Sequence, residues 1–344
     1  MKKVLPWLIF ILFTAFIGIS LLAIIDGYLI SISYDSQIIS PILPKNKTIS
    51  IILVGDIMLD RGVEYIVEKE GGGDYRFPFL KIADYLNKAD IVFGNLEGPI
   101  SDKGAKVGSI YSFRAVPKAI EGLTYAGFNV ISLANNHAFD YGRQALEDCL
   151  TRFSNTGIDY VGAGFSEDEA YSPLIKEIKN TKIGFLAYTN LGPETWRAVG
   201  GNSGIAWVNE SLLNSVKQQI EKAKNEADVL IVSLHAGEEY QKTPSQFQID
   251  FFKMAAESGA DIVFGHHPHV VQPDLYSLGN FVFDQGFSQE TMQGQIIKVI
   301  IKNRVSAENE EEEEEKVLFA HKKIEGVIPI DIKINELFQP ETEQ

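Results

Sequence analysis

The sequence predicts an α/β protein with a β-rich second half. Three observations lead there. Short apolar runs, most of them rich in β-branched residues, recur along the chain. Amphipathic stretches of helical length separate them. Beyond Leu275, further apolar runs follow one another with no helix between.

The first set of strands is predicted at Ile51–Val54, Ala89–Phe93, Val130–Leu133, Tyr160–Val161, Ile183–Ala187, Val229–Leu234 and Ile262–Phe264. Helices are predicted at Val63–Glu70, Phe79–Lys88, Pro117–Ala126, Arg143–Asn155, Asn209–Glu226 and Pro244–Ser258. Strands alternating with helices imply βα units with helices covering a sheet. Tyr276–Phe283, Gln295–Lys302, Val317–Lys323 and Val327–Ile334 read as consecutive strands. An unbroken run, Glu310–Glu315, falls between two of them and reads as the solvated loop of a hairpin, because like charges resist packing.

At the N-terminus Lys2 and Lys3 precede an uncharged stretch, Val4–Ile25. At about 1.5 Å per residue it spans about 33 Å, enough for the hydrocarbon core of a bilayer. A cleavable signal peptide has an apolar core of about 7–15 residues and a small-residue cleavage site. This stretch is longer and runs into Ile24, Ile25 and Asp26 without such a site, so it reads as an uncleaved anchor. The basic end belongs in the cytoplasm, which places the rest outside. The organisation expected is an anchor over 1–26, a linker over 27–48, a folded domain over 49–338 with an acidic loop at 306–316, and a tail over 339–344.

Composition narrows the function. The net charge of −15, about −9 without the Glu run, excludes the basic footprint of a nucleic-acid binder. The single cysteine, Cys149, allows no intrachain disulfide, and beside Leu146 and Leu150 it reads as a buried helix residue.

In open α/β sheets functional groups collect beyond the carboxyl ends of strands. Five strands here end in such groups: Gly55-Asp56, Gly94-Asn95-Leu96-Glu97, Ala134-Asn135-Asn136-His137 with Asp140 behind, His235-Ala236-Gly237-Glu238-Glu239, and Gly265-His266-His267-Pro268-His269. Each alone is a common turn or a lone histidine. Together they hold five of the six histidines. Carboxylates with imidazoles suit Mn, Fe or Zn better than Ca²⁺.

The order of these motifs resembles the calcineurin-like metallophosphatase superfamily. Within it they look like the CapA/PgsA-like branch, named for poly-γ-glutamate capsule synthesis. The likeness covers about residues 49–300. It adds His267-Pro268-His269-Val270-Val271-Gln272-Pro273 and Ser277-Leu278-Gly279-Asn280-Phe281-Val282-Phe283-Asp284 to the segments above. The resemblance implies a four-layer α/β/β/α sandwich. It also implies one or two divalent ions, with Asp56 and His269 on the first, Asn136, His235 and His267 on the second, and Glu97 bridging. His137 would be the general acid. Arg61, Arg114, Glu238, Glu239 and Asn280 are candidates for the rim of the site. Two departures stand out: Met58 replaces an imidazole ligand of the first metal, and Glu97 replaces an Asp. Asp60 is a poor substitute for the missing imidazole, and His266 reads as a supporting residue.

The resemblance implies a role in making, exporting or trimming an anionic surface polymer of the poly-γ-glutamate type, alongside membrane synthase partners. The alternatives are an extracytoplasmic hydrolase of phosphoesters or amides, and a silent scaffold that kept the fold and lost the first metal.

Overall fold

In a computed structural model of the chain, residues 48–302 and 323–342 are described. The expected anchor (1–26), the acidic loop (306–316) and residues 317–322 of one predicted strand lie outside them. Among the described residues no helix is long and apolar enough to cross a membrane.

Two sheets carry the fold. The larger runs β16 (Pro340–Thr342), β15 (Ile324–Ile334), β14 (Gln293–Lys302), β1 (Thr48–Ile57), β2 (Ile91–Leu96), β3 (Val130–Ser132) and β4 (Asp159–Val161), with β13 (Asn280–Val282) beside the end of β1. Strands β1 to β4 are parallel, and β14 to β16 extend the sheet antiparallel. The smaller sheet runs β10 (Ile262–His266), β9 (Val229–His235), β7 (Thr181–Thr189) and β6 (Leu174–Ile178), its first three strands parallel, and two short ribbons pair β5 (Ala163–Gly164) with β8 (Gly204–Ile205) and β11 (Val271–Gln272) with β12 (Ser277–Leu278).

Alternation along β1 explains the layering. Ile51 and Leu53 point to one side, Ile52 and Val54 to the other, and all four are buried. The first pair joins Phe93, Phe185 and Phe264 between the two sheets, where the Phe93 centroid lies 5.8 Å from Phe185 and 5.2 Å from Phe264. The second pair packs under helices α1 (Arg61–Lys69), α2 (Ala83–Leu86), α3 (Ile120–Tyr125) and α4 (Gly142–Phe153). On the smaller sheet, Leu186, Leu230 and Val232 face α6 (Leu213–Glu226) and α7 (Gln246–Glu257), α5 being Glu167–Tyr171. The layers therefore run helix, sheet, sheet, helix. Cys149 is buried on α4, as its neighbours predict.

Several elements differ from expectation. Phe79–Lys88 is broken into a 3-10 turn, Phe77–Phe79, and the single helical turn α2, with Pro78 at the start of the 3-10 turn and no side-chain cap on either. Tyr276–Phe283 is interrupted at Gly279, whose φ of 68° turns β12 (Ser277–Leu278) away from β13. Residues 340–342, expected in a tail, form β16 on β15. Thr48, expected in the linker, opens β1.

Two close approaches bring the strand ends together. A Cβ on Gly55 would lie 1.9 Å from the Gly279 carbonyl oxygen, which accepts the Asp56 N–H at 3.0 Å. That contact sets Asn280 in register with Asp56. A Cβ on Gly265 would lie 2.1 Å from the Tyr276 carbonyl oxygen. Only glycine fits at either place.

Candidate metal centre

The parallel strands of both sheets deliver their carboxyl ends to one point. Asp56 comes from β1, Glu97 from just past β2, Asn136 and His137 from the turn after β3, His235 from β9, and His267 and His269 from the turn after β10. All but Asn136, which is half-buried, are buried.

Asp56 is the hub. Its Oδ1 accepts from Asn95 Nδ2 at 2.8 Å, and its Oδ2 accepts the His267 backbone N–H at 3.0 Å. His266 Nδ1 stands 3.3 Å from it, His269 Nδ1 3.6 Å and His235 Nδ1 3.9 Å. Burial alone would raise this carboxyl, but the adjoining His266 imidazole more than offsets it and holds it well below the usual range.

Glu97 is the opposite case. Its two carboxylate oxygens are buried and have no hydrogen-bond partner among the described residues. Burial, then the charges of Asp56, Glu239 and Asp140, push its carboxyl well above the ordinary value. His137 Nε2 lies 3.5 Å from Glu97 Oε1 and His269 Nε2 lies 3.7 Å from it.

The imidazoles are held in the neutral, ligating form. Burial, reinforced by neighbouring His269, lowers His267 to about 3; His235 and His269 are lowered by burial too. Each ring is also oriented. His269 Nδ1 lies 3.0 Å from Asn280 Oδ1, which leaves Nε2 toward Glu97. His235 has Asn95 Nδ2 at 3.2 Å from its Nδ1 and Asn136 Oδ1 at 2.7 Å from its Nε2. His137 Nδ1 lies 2.6 Å from Asp140 Oδ2, which also accepts the Phe113 N–H at 2.7 Å. The Phe113 ring stacks on His137 with centroids 4.0 Å apart.

These residues fit a divalent cation. A buried carboxylate with two bare oxygens is costly unless a cation meets it. Hydrogen-bond-starved donors, Glu97 and His267 Nδ1 among them, line the same point. Two three-residue groups have donor atoms within 4.8 Å of one another: Asp56, Glu97 and His235, and Glu239, His267 and His269.

The rim candidates divide. Arg61 lines a cavity of about 550 Å³ above the centre, together with His137, His269 and Tyr240. Its guanidinium is engaged by Asp284 and lies 4.5 Å from the centroid of Phe113. Arg114 does not line that cavity: it donates to the Lys103 carbonyl at 2.9 Å and lies over Tyr141. Glu238 is exposed and outside the cavity lining, which Glu239 joins instead. Asn280, expected at the rim, is fully buried and positions His269 while donating to Gln285 Oε1 and the Thr291 carbonyl, each at 3.0 Å. Asp60 is the N-cap of α1 and accepts the Arg114 N–H at 2.7 Å, so it is occupied away from the centre. Met58 is buried in the core under the helices.

Sequence reasoning left Asn95, Asp140 and Asp284 without a defined role. The spacing of Asp140 three residues after His137 was an available signal; the partners of the others come from distant segments. A separate cavity of about 400 Å³, lined by Phe153, Tyr160 and Glu169, shares no residue with the centre.

The family description "Bacterial capsule synthesis protein PGA_cap" matches residues 50–285, which contain every residue of this centre. The chain belongs to that family. Its CapA relatives agree. The capsule biosynthesis protein CapA of Bacillus anthracis is 34% identical over 258 residues, 71% of this chain and 62% of the relative. The PGA biosynthesis protein CapA of Bacillus subtilis is 33% identical over 262 residues, 72% of this chain and 67% of the relative. The chain thus spans about two-thirds or less of these relatives' lengths. Among solved structures, a Mycoplasma pneumoniae phosphatase aligns over 83% of this chain and 94% of its own at 16% identity and a TM-score of 0.45, too distant to assign a fold or an activity.

Proposed function

We propose that this PGA_cap family member acts in the synthesis, export or processing of an anionic surface polymer of the poly-γ-glutamate type. In this reading residues 1–26 anchor it in the membrane, the domain faces outward, and a membrane synthase is its partner. The site would be metal-dependent and of metallophosphatase type. The observation that carries the metal dependence is Glu97, whose buried oxygens, unpartnered among the described residues, stand where five strand ends of two sheets converge.

Asp56, Glu97, Asn136, His235, His267 and His269 would hold one or two Mn, Fe or Zn ions. Such ions, when bound, supply Lewis-acid and water-activating chemistry. The chain's own residues do the rest. Asp140 fixes His137 by Nδ1 and leaves Nε2 toward Glu97, so the proton His137 handles is at Nε2. Phe113 covers that ring and excludes water from one face. Arg61 is paired with Asp284, which lines the same cavity, so the pair shapes the wall without adding net charge to it. An anionic substrate would meet its attraction at the ions, since the chain as a whole carries −15.

The His137–Asp140 pair favours one second reading, a hydrolase of phosphoesters or amides: a positioned acid is of use only where a bond is broken. The test is elemental analysis of the purified full chain beside His267→Ala and Asp56→Ala. Near-stoichiometric Mn, Fe or Zn that falls in the variants supports metal dependence, and assays on phosphodiesters and γ-glutamyl amides then separate the readings. No metal in wild type after reconstitution with each ion leaves a scaffold or binding protein.

A further inference from the structure

The resemblance leaves the first metal short of an imidazole, because Met58 stands where the superfamily has a ligand. The geometry supplies a donor from another element. Glu239, in the turn after β9, brings a carboxylate oxygen within 4.8 Å of donor nitrogens of both His267 and His269. We propose that Glu239, His267 and His269 form an outer divalent-cation centre, open to the cavity and separate from the inner group Asp56, Glu97 and His235. This inference rests on the metal-dependent reading above.

Two observations besides the cluster point to an ion there. His267 is only 6% exposed, and its Nδ1 has no hydrogen-bond partner among the described residues. Glu97, 1% exposed, sets an equally unpartnered Oε1 3.7 Å from His269 Nε2, so bare oxygen and bare nitrogen border the outer group from within. The facing turns are also fastened together. The Tyr240 N–H donates to the Pro268 carbonyl at 2.8 Å, which sets Glu239 across from the two histidines. The Tyr240 and His269 rings lie 6.1 Å apart, and Gln285 Nε2 donates to the Tyr240 hydroxyl at 3.3 Å.

The donor set specifies the ion class. Two imidazoles and one carboxylate suit Zn²⁺ or Fe²⁺ and leave positions free for water or substrate. Glu239 is exposed while Asp56, Glu97 and His235 are buried, so the outer ion exchanges with solvent and the inner one is enclosed. Glu239 and His269 both line the cavity, which makes the outer ion the one a substrate meets.

The test counts ions in the metal-free full chain dialysed against Zn²⁺, and records the visible absorption of the Co²⁺-loaded protein. Wild type is compared with Glu239→Gln and, as a control of equal charge change on an exposed neighbour, Glu238→Gln. The expected result is one Zn²⁺ fewer in Glu239→Gln than in wild type, an altered Co²⁺ spectrum, and no change in Glu238→Gln, with unchanged far-UV circular dichroism in all three. Equal counts and spectra in wild type and Glu239→Gln overturn the inference while leaving the inner centre standing. Equal losses in Glu239→Gln and Glu238→Gln also overturn it. Wild type that takes up no ion overturns the metal-dependent reading itself.

Discussion

Replacing Glu97 by Gln tests the centre through stability. The Glu97 carboxylate is buried, has no hydrogen-bond donor on either oxygen among the described residues, and faces the charges of Asp56, Glu239 and Asp140. Gln keeps the shape, removes the charge, and brings an amide donor to within reach of His137 Nε2 and His269 Nε2, now 3.5 and 3.7 Å from Oε1. Relief of a buried unsatisfied group is worth about 1–3 kcal/mol, so metal-free Glu97→Gln should melt several degrees above metal-free wild type. The effect has a pH signature. The folded-state Glu97 carboxyl is raised, so its protonated form favours folding at low pH, and that contribution is lost as pH climbs from the unfolded value of about 4.5 through the raised folded one. The advantage of Gln should therefore be small in acid and grow toward neutral pH. Added metal reverses the ranking: at one hundred times Kd it stabilises wild type by about 2.7 kcal/mol, and Glu97→Gln should show little or no shift. Thermal melts followed by circular dichroism, with chelator and with Zn²⁺ or Mn²⁺, read all of this. A metal-free Glu97→Gln that melts below wild type at neutral pH, or that keeps the full metal shift, would refute the reasoning.

Asn280→Ala removes the acceptor of His269 Nδ1 and the donor to Gln285 and Thr291. It should weaken metal binding by about 10–100-fold and lower stability by about 2–4 kcal/mol, read by titration calorimetry and denaturant melts. Gly55→Ala drives a Cβ into the Gly279 carbonyl, a backbone atom that cannot swing aside. A loss of about 3 kcal/mol or more is expected, visible as a lowered urea midpoint. Cys149 is buried, accepts the Ile100 N–H at 3.3 Å, and its thiol is pushed up to about 12 by burial. It should resist a thiol reagent in the native protein and react within minutes in denaturant.

Much of the centre was legible because parallel strands place their loops at one end. A run such as Val229–Leu234 followed by His235 therefore identifies both a strand and the residue at its mouth. Asp56, Glu97, His137, His235, His267 and His269 all follow this pattern. What stayed hidden depends on partners far along the chain. Glu238 and Glu239 are equivalent in sequence; the turn fastened by Tyr240 to Pro268 decides that the second faces the histidines. Asn280 reads as an exposed rim residue until β13 is seen to pair with β1, which buries it beside Asp56. Arg61 reads as a free anion clamp until Asp284, 223 residues away, takes its guanidinium. Local propensity erred at Phe79–Lys88, where the periodicity is helical but only one turn of α-helix forms.

The split origin of the centre bears on how the protein folds. Asp56, Glu97 and His137 ride on the larger sheet, and His235, His267 and His269 on the smaller. The bond from the His267 N–H to Asp56 spans 211 residues. Glu239, His267 and His269 all follow strands of the smaller sheet, whereas the inner group joins Asp56 and Glu97 of one sheet to His235 of the other, so it is complete only after the sheets have docked. Such long-range contacts form slowly, after loop closure has cost its entropy. In a refolding experiment, uptake at this inner group would mark the docking of the sheets and act as a clock for the last step of assembly.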